Sequence, residues 1–103
     1  MEQAQGKAAE MVAAVKAAAA KVAVMPGKAF IVDVFEALKA EGSIDCDLDT
    51  FKWWMDRARN RRWVSLCRCD LVEAFSPEKI RRSEIAIDPR DSTATRHFVR
   101  VAA

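Results

Sequence analysis

The sequence predicts a mainly helical α+β domain, three helices with a small antiparallel β-hairpin, spanning residues 1–103 as one unit. Three observations carry this. Apolar residues recur at i, i+3, i+4 spacing in three separate stretches, the mark of amphipathic helices. Short runs rich in β-branched and aromatic residues stand at 28–31, 63–67, 85–87 and 95–101. Gly, Pro, Asp and Ser cluster between them as turn chemistry. With 51% hydrophobic and 31% charged residues, a chain of 103 residues has material for one core and a charged surface.

In the first stretch the apolar positions are Ala8, Met11, Val12, Val15, Ala18, Ala19 and Val22, with Glu10, Lys16 and Lys21 between them. Alanine is the strongest helix former, so a helix is expected over about residues 3–23, ended by Pro26-Gly27. Lys28 to Ile31 reads as a few residues of strand. Ile31, Val32, Phe35 and Leu38 then share one face of a helix over 31–41, and Gly42 suits a left-handed cap after it. Asp47 is a good N-cap for the third helix, 48–61, with Asp49 in its first turn and Leu48, Phe51, Met55 and Ala58 on its buried face.

Strand alternation follows, with Val64, Leu66 and Arg68 on one side and Trp63, Ser65 and Cys67 on the other. A helical turn is expected within 70–75. Ser76-Pro77-Glu78 is a helix-start signature, with Ser as cap and Pro at the first helical position. Ile85 to Ile87 is a candidate strand, Asp88-Pro89-Arg90-Asp91-Ser92 a turn, and Thr95 to Val101 a final strand.

Net charge is only +2, but it is unevenly spread. Residues 1–51 carry five Lys and eight Asp or Glu, a net −3; residues 52–103 carry twelve Lys or Arg and seven Asp or Glu, a net +5. Such asymmetry points to an anionic partner for the second half. The start Met1-Glu2-Gln3 lacks the basic character of a signal peptide, and Lys16 and Lys21 interrupt an apolar stretch too Ala-rich for a membrane span. A cytoplasmic protein with no membrane partner and reduced cysteines is therefore expected.

The sites for metal or catalysis are weak. Cys67-x-Cys69 with Cys46 and His97 does not have the two-to-four residue spacing of structural zinc ligands. Asp45, Asp47 and Asp49 resemble the opening of a calcium loop, but Thr50 stands where that loop needs Gly. Helix capping accounts for these carboxylates, and a partly exposed strand position accounts for His97. No glycine-rich phosphate loop and no recognisable nucleophile or paired carboxylates are present. Neither an enzyme, nor a metal site, nor a cofactor is expected.

The order helix, short strand, helix, helix, strand, turn-rich connection, strand resembles the winged-helix family. These are helix-turn-helix relatives with a β-hairpin wing after the third helix. The runs Asp47-Leu48-Asp49-Thr50-Phe51-Lys52 and Leu66-Cys67-Arg68-Cys69-Asp70-Leu71-Val72 are similar to small bacterial winged-helix proteins of unassigned activity. The connection from Cys67 to Thr95 is long for a simple wing.

The resemblance implies sequence-specific binding of double-stranded DNA by a small transcriptional regulator, with helix 48–61 in the major groove and the wing on the backbone. Away from its core, that helix shows Thr50, Trp53, Asp56, Arg57, Asn60 and Arg61, with Lys52 and Arg59 on one flank and Trp54 on the other. Arg57, Asn60 and Arg61 have the chemistry to read guanine and adenine edges. Lys52, Arg59 and Arg62 suit phosphates. Arg90 is the expected wing tip, with Arg96 next, and Lys79, Arg81, Arg82 and Arg100 complete a second basic group. The ordinary alternative for a basic helix face is a solvated surface. A long Ala-rich helix, residues 1–24, is also a candidate for homodimerisation.

A rival reading uses the same surface for a protein. Trp53 is bulky and Asp56 repels phosphate, so Trp53, Trp54 and the neighbouring arginines would serve as a protein interface, as in an accessory or inhibitor subunit of a nucleic-acid machine.

Overall fold

A computed structural model of the chain describes residues 2–69, 72–87, 90 and 94–100. The elements run α1 (Glu2–Val22), β1 (Lys28–Phe30), α2 (Ile31–Ala40), α3 (Leu48–Asn60), β2 (Leu66–Cys67), a 3-10 turn (Val72–Ala74), α4 (Pro77–Ser83), β3 (Ile85–Ala86), β4 (Thr95–Arg96) and β5 (Phe98–Arg100). The protein is α+β and mainly helical. Among the described residues there are four α-helices rather than three, because Ser76 caps α4 by accepting a hydrogen bond from the Lys79 N–H at 3.4 Å.

The strands form two small antiparallel sheets, one ordered β1-β5-β2 and one pairing β3 with β4. The expected strand over 63–67 is confined to Leu66–Cys67, and the expected final strand is divided at His97 between the two sheets. The reason lies in the backbone of His97. Its N–H donates to the Cys67 carbonyl at 2.9 Å and its carbonyl accepts from the Ile31 N–H at 3.0 Å, which turns the chain from β4 into the gap between β1 and β2. The connection from β2 to β5 is therefore no simple hairpin. It contains α4 and the β3–β4 ribbon, which an Ile87 N–H bond to the Ala94 carbonyl extends at 2.8 Å. The turn expected over Asp88–Ser92 lies outside the described residues except for Arg90, which is in a turn.

Helix α2 is the central element, and its sequence explains why. Ile31, Val32, Val34, Phe35 and Leu38 are all buried, more than one apolar stripe supplies. One side joins Val15, Ala18 and Ala19 of α1 and Phe51, Met55 and Ala58 of α3 in the main core. On the other side Val32 joins Phe30, Phe98 and Cys69 in a second cluster, with Phe75 packed against it. There Phe30 meets Phe75 edge-on at 5.0 Å and Phe98 tilted at 4.6 Å, geometries that ring quadrupoles favour.

The N-terminus of α2 has no local side-chain cap, since Phe30 occupies the cap position. Its first amides are satisfied from elsewhere. Ile31 donates to the His97 carbonyl, and Val32 donates to the hydroxyl of Ser83 at 3.1 Å, 51 residues away. Ser83 is fully buried at the end of α4. Two ion pairs add to this docking, Lys79–Asp33 at 3.2 Å and Arg82–Glu36 at 3.3 Å.

Helices α2 and α3 stop in the same way. After α2, the Ser43 N–H reaches the Leu38 carbonyl and the Gly42 N–H reaches the Lys39 carbonyl, with Gly42 at φ 74°. After α3, the Trp63 N–H reaches the Ala58 carbonyl and the Arg62 N–H reaches the Arg59 carbonyl, with Arg62 at φ 62°. Both are Schellman closures, but in the second an arginine occupies the left-handed position that suits glycine.

Candidate functional site

Helix α3 is positioned by its two faces. Phe51, Met55 and Ala58 are fully buried. Asp47 caps it by accepting the Thr50 N–H at 2.8 Å. Hydrogen bonds from the Thr50 hydroxyl and backbone hold the Asp47 carboxyl below its ordinary range. Capping thus gives this carboxylate a structural role.

On the outward face the structure brings together Thr50, Trp53, Arg57, Asn60 and Arg61, all exposed. Trp53 is 60% exposed, and the Arg57 guanidinium lies over its ring at 4.9 Å. This is a cation–π pair at i, i+4 spacing, and it arrays the indole and the guanidinium as one surface. Arg61 lies over Trp63 at 5.2 Å. Trp54 is partly buried and packs against the main core, so it is not part of an open surface.

Other candidates have neighbours that change their chemistry. Arg59 donates from Nε and a terminal nitrogen to one oxygen of Asp56, at 3.3 and 3.1 Å, and also to Oδ1 of Asn60 at 3.0 Å. Its charge is matched, and the Asn60 oxygen is engaged. For Asn60 to read adenine with both its amide oxygen and nitrogen, that bond to Arg59 has to open. Lys52 is half-buried. Burial pulls its ammonium below the usual lysine range, against the attraction of Asp49 and Glu84. Arg96 is half-buried on β4 and donates to the Thr95 carbonyl at 2.9 Å. Arg90 is exposed in its turn. Lys79 and Arg82 are paired with acids of α2, and so the second basic group is partly neutralised inside the fold.

His97 is not the partly exposed residue its strand position suggested; it is 4% exposed. Its Nδ1 accepts the Cys69 N–H at 3.1 Å, and its Nε2 lies 3.4 Å from Glu84 Oε1. Both nitrogens are therefore used in packing. Among the described residues no group of three or more His, Cys, Asp or Glu is placed to hold a metal ion, and no helix is long and apolar enough to cross a membrane.

Sequence reasoning missed one grouping. Lys16 of α1, Lys28 of β1, Arg59 and Arg62 at the end of α3, and Arg100 of β5 line a common cleft of about 920 Å³, with Trp63 and Ser65 in its wall. No local signal could have found it, because these residues come from four separate parts of the chain. No family model, no curated protein and no solved structure matches the chain.

Proposed function

We propose that the protein is a winged-helix DNA-binding domain that places the outward face of α3 in the major groove of double-stranded DNA, as a small transcriptional regulator does. The observation that carries this is the exposed row of Trp53, Arg57, Asn60 and Arg61 on a helix whose opposite face is fully buried. A rigid helix with long donors on its free side has the dimensions and chemistry for base edges. The β1-β5-β2 order supports the fold reading, since it sets a strand from the end of the chain between a strand before α2 and one after α3. The departure is the connection, where α4 and the β3–β4 ribbon stand in place of a plain wing.

The test is fluorescence anisotropy of the full chain on a mixed pool of duplex oligonucleotides at low and moderate salt. Binding that weakens steeply with salt, and that drops in Arg57→Ala and Arg61→Ala, is the expected result. Absence of binding at low salt overturns the reading.

One observation favours a second reading, a protein interface. Trp53 stacked by Arg57 pairs two residue types that dominate protein interfaces. In that case Trp53→Ala abolishes partner binding, and the interaction tolerates salt.

A further inference from the structure

The cleft between α1, the end of α3 and the sheet carries two features that folding alone disfavours. In the β1–β5 register Lys28 stands directly opposite Arg100, and like charges directly opposite across antiparallel strands weaken the pairing. Arg62 keeps a left-handed backbone where α2 uses Gly42, a conformation that costs any residue with a Cβ. Both features belong to residues that line one cleft, where Lys16 and Arg59 join them, and the Lys28 ammonium lies 5.9 Å from the centroid of the Phe98 ring, on the same strand as Arg100. Among the described residues no carboxylate lines it, and Lys16, Lys28, Arg62 and Arg100 form no ion pair. Local costs concentrated at one concavity mark a binding site better than a packing solution.

The shape narrows the class of ligand. The cleft's volume, about 920 Å³, is within the range of about 300–1,000 Å³ typical of small-molecule sites. A duplex backbone is convex and is met by projecting elements rather than received in a hollow. Several converging cations call for more than one phosphate, and arginine pairs with phosphate oxygens bidentately. Trp63 forms one wall and also borders a neighbouring apolar groove of about 530 Å³ with Val12 and Ala13. An aromatic ring, with the Arg61 guanidinium 5.2 Å from its centroid, thus adjoins the cationic end, and a base stacking on it has to share or displace that guanidinium.

We propose that this cleft binds a small polyphosphorylated ligand of the nucleoside di- or triphosphate class, with phosphates among Lys28, Arg62 and Arg100 and the base against Trp63. Neither Trp53 nor Arg57 lines the cleft, whereas Arg59 and Arg62 border both surfaces and Arg61 lies over Trp63, so Arg57 and Arg100 are the residues that tell the two surfaces apart.

Isothermal titration of the full chain with ATP, AMP and inorganic tripolyphosphate tests this, with the Trp63 indole N–H followed in ¹H–¹⁵N spectra and assigned through Trp63→Phe. ATP is expected to bind about tenfold or more tighter than AMP, and Arg100→Ala to lose about tenfold for ATP while Arg57→Ala loses none. The Trp63 signal should move on ATP addition and the Trp53 signal should not. Arg62→Gly separates binding from folding, because relief of the left-handed strain leaves its melting temperature equal or higher while ATP binding weakens. Failure of ATP to bind overturns the proposal. So does tripolyphosphate binding as tightly as ATP with Trp63 unmoved, or an equal loss in Arg57→Ala and Arg100→Ala. Arg100→Ala weakening duplex DNA but not ATP would reassign the cleft to the nucleic-acid backbone and overturn it as well.

Discussion

The Nδ1 of His97 accepts the backbone N–H of Cys69 at 3.1 Å, 28 residues earlier in the chain. Only a neutral imidazole with its proton on Nε2 can accept there, and Glu84 Oε1, 3.4 Å from Nε2, takes that proton's hydrogen bond.

Stability should accordingly fall in mild acid. Burial pulls the His97 pKa below its ordinary 6.5, opposed by Glu84 and assisted by Arg68 and Lys52. A depressed folded-state pKa means the unfolded chain binds the proton first. The contribution of His97 is therefore complete above 6.5 and is lost as pH falls through the lower folded-state value. Urea midpoints measured across this range should decline in the wild type and decline less in His97→Gln. Equal slopes in the two proteins would remove His97 as the cause.

Ser83 is expected to matter as a cap supplied through tertiary structure. Its buried hydroxyl accepts the Val32 N–H at the start of α2. Ser83→Ala leaves that amide without a partner and should cost about 1–2 kcal/mol, read as a shift of the urea midpoint at unchanged slope. A cost near zero would mean that water replaces the hydroxyl.

Opposite signs are expected at the two helix ends that share one closure. Gly42→Ala should destabilise by about 1 kcal/mol, purely through the backbone, since an added Cβ there meets nothing within 4 Å. Arg62→Gly should stabilise by roughly 0.5–1 kcal/mol as the strain is relieved. Thermal melts of both variants check the pair, and a loss in Arg62→Gly would show that its side chain stabilises the fold.

For DNA, the basic residues should divide by what already neutralises them. Arg57→Ala should cost about 1–3 kcal/mol of duplex affinity if it reads a base. Lys79→Ala should leave affinity within a few tenths of a kcal/mol, about the effect of a surface change away from the site, because Asp33 holds Lys79. Anisotropy titrations of both on one duplex decide this, and equal losses would move the contact surface toward α4.

Much of the fold was legible residue by residue. Periodicity located α1, α2 and α3, and Gly42, Asp47 and Ser76 marked the end of α2 and the starts of α3 and α4, because caps and amphipathic faces are written within a few neighbouring positions. The exposed face of α3 followed from the same arithmetic, with Trp53 outward and Phe51 and Met55 inward. Partner choice was not legible in this way. That His97 divides the last strand between two sheets, that Ser83 caps a helix 51 residues away, and that Lys79 and Arg82 are spent on α2 depend on which distant segments meet. The same holds for the cleft, whose cations come from four separate segments, Arg100 being brought to Lys28 when β5 enters between β1 and β2. The sequence alone determined the helices and their buried faces, since those rest on local backbone and side-chain chemistry. Tertiary structure alone decided which charges remain unmatched, since that depends on long-range burial and pairing.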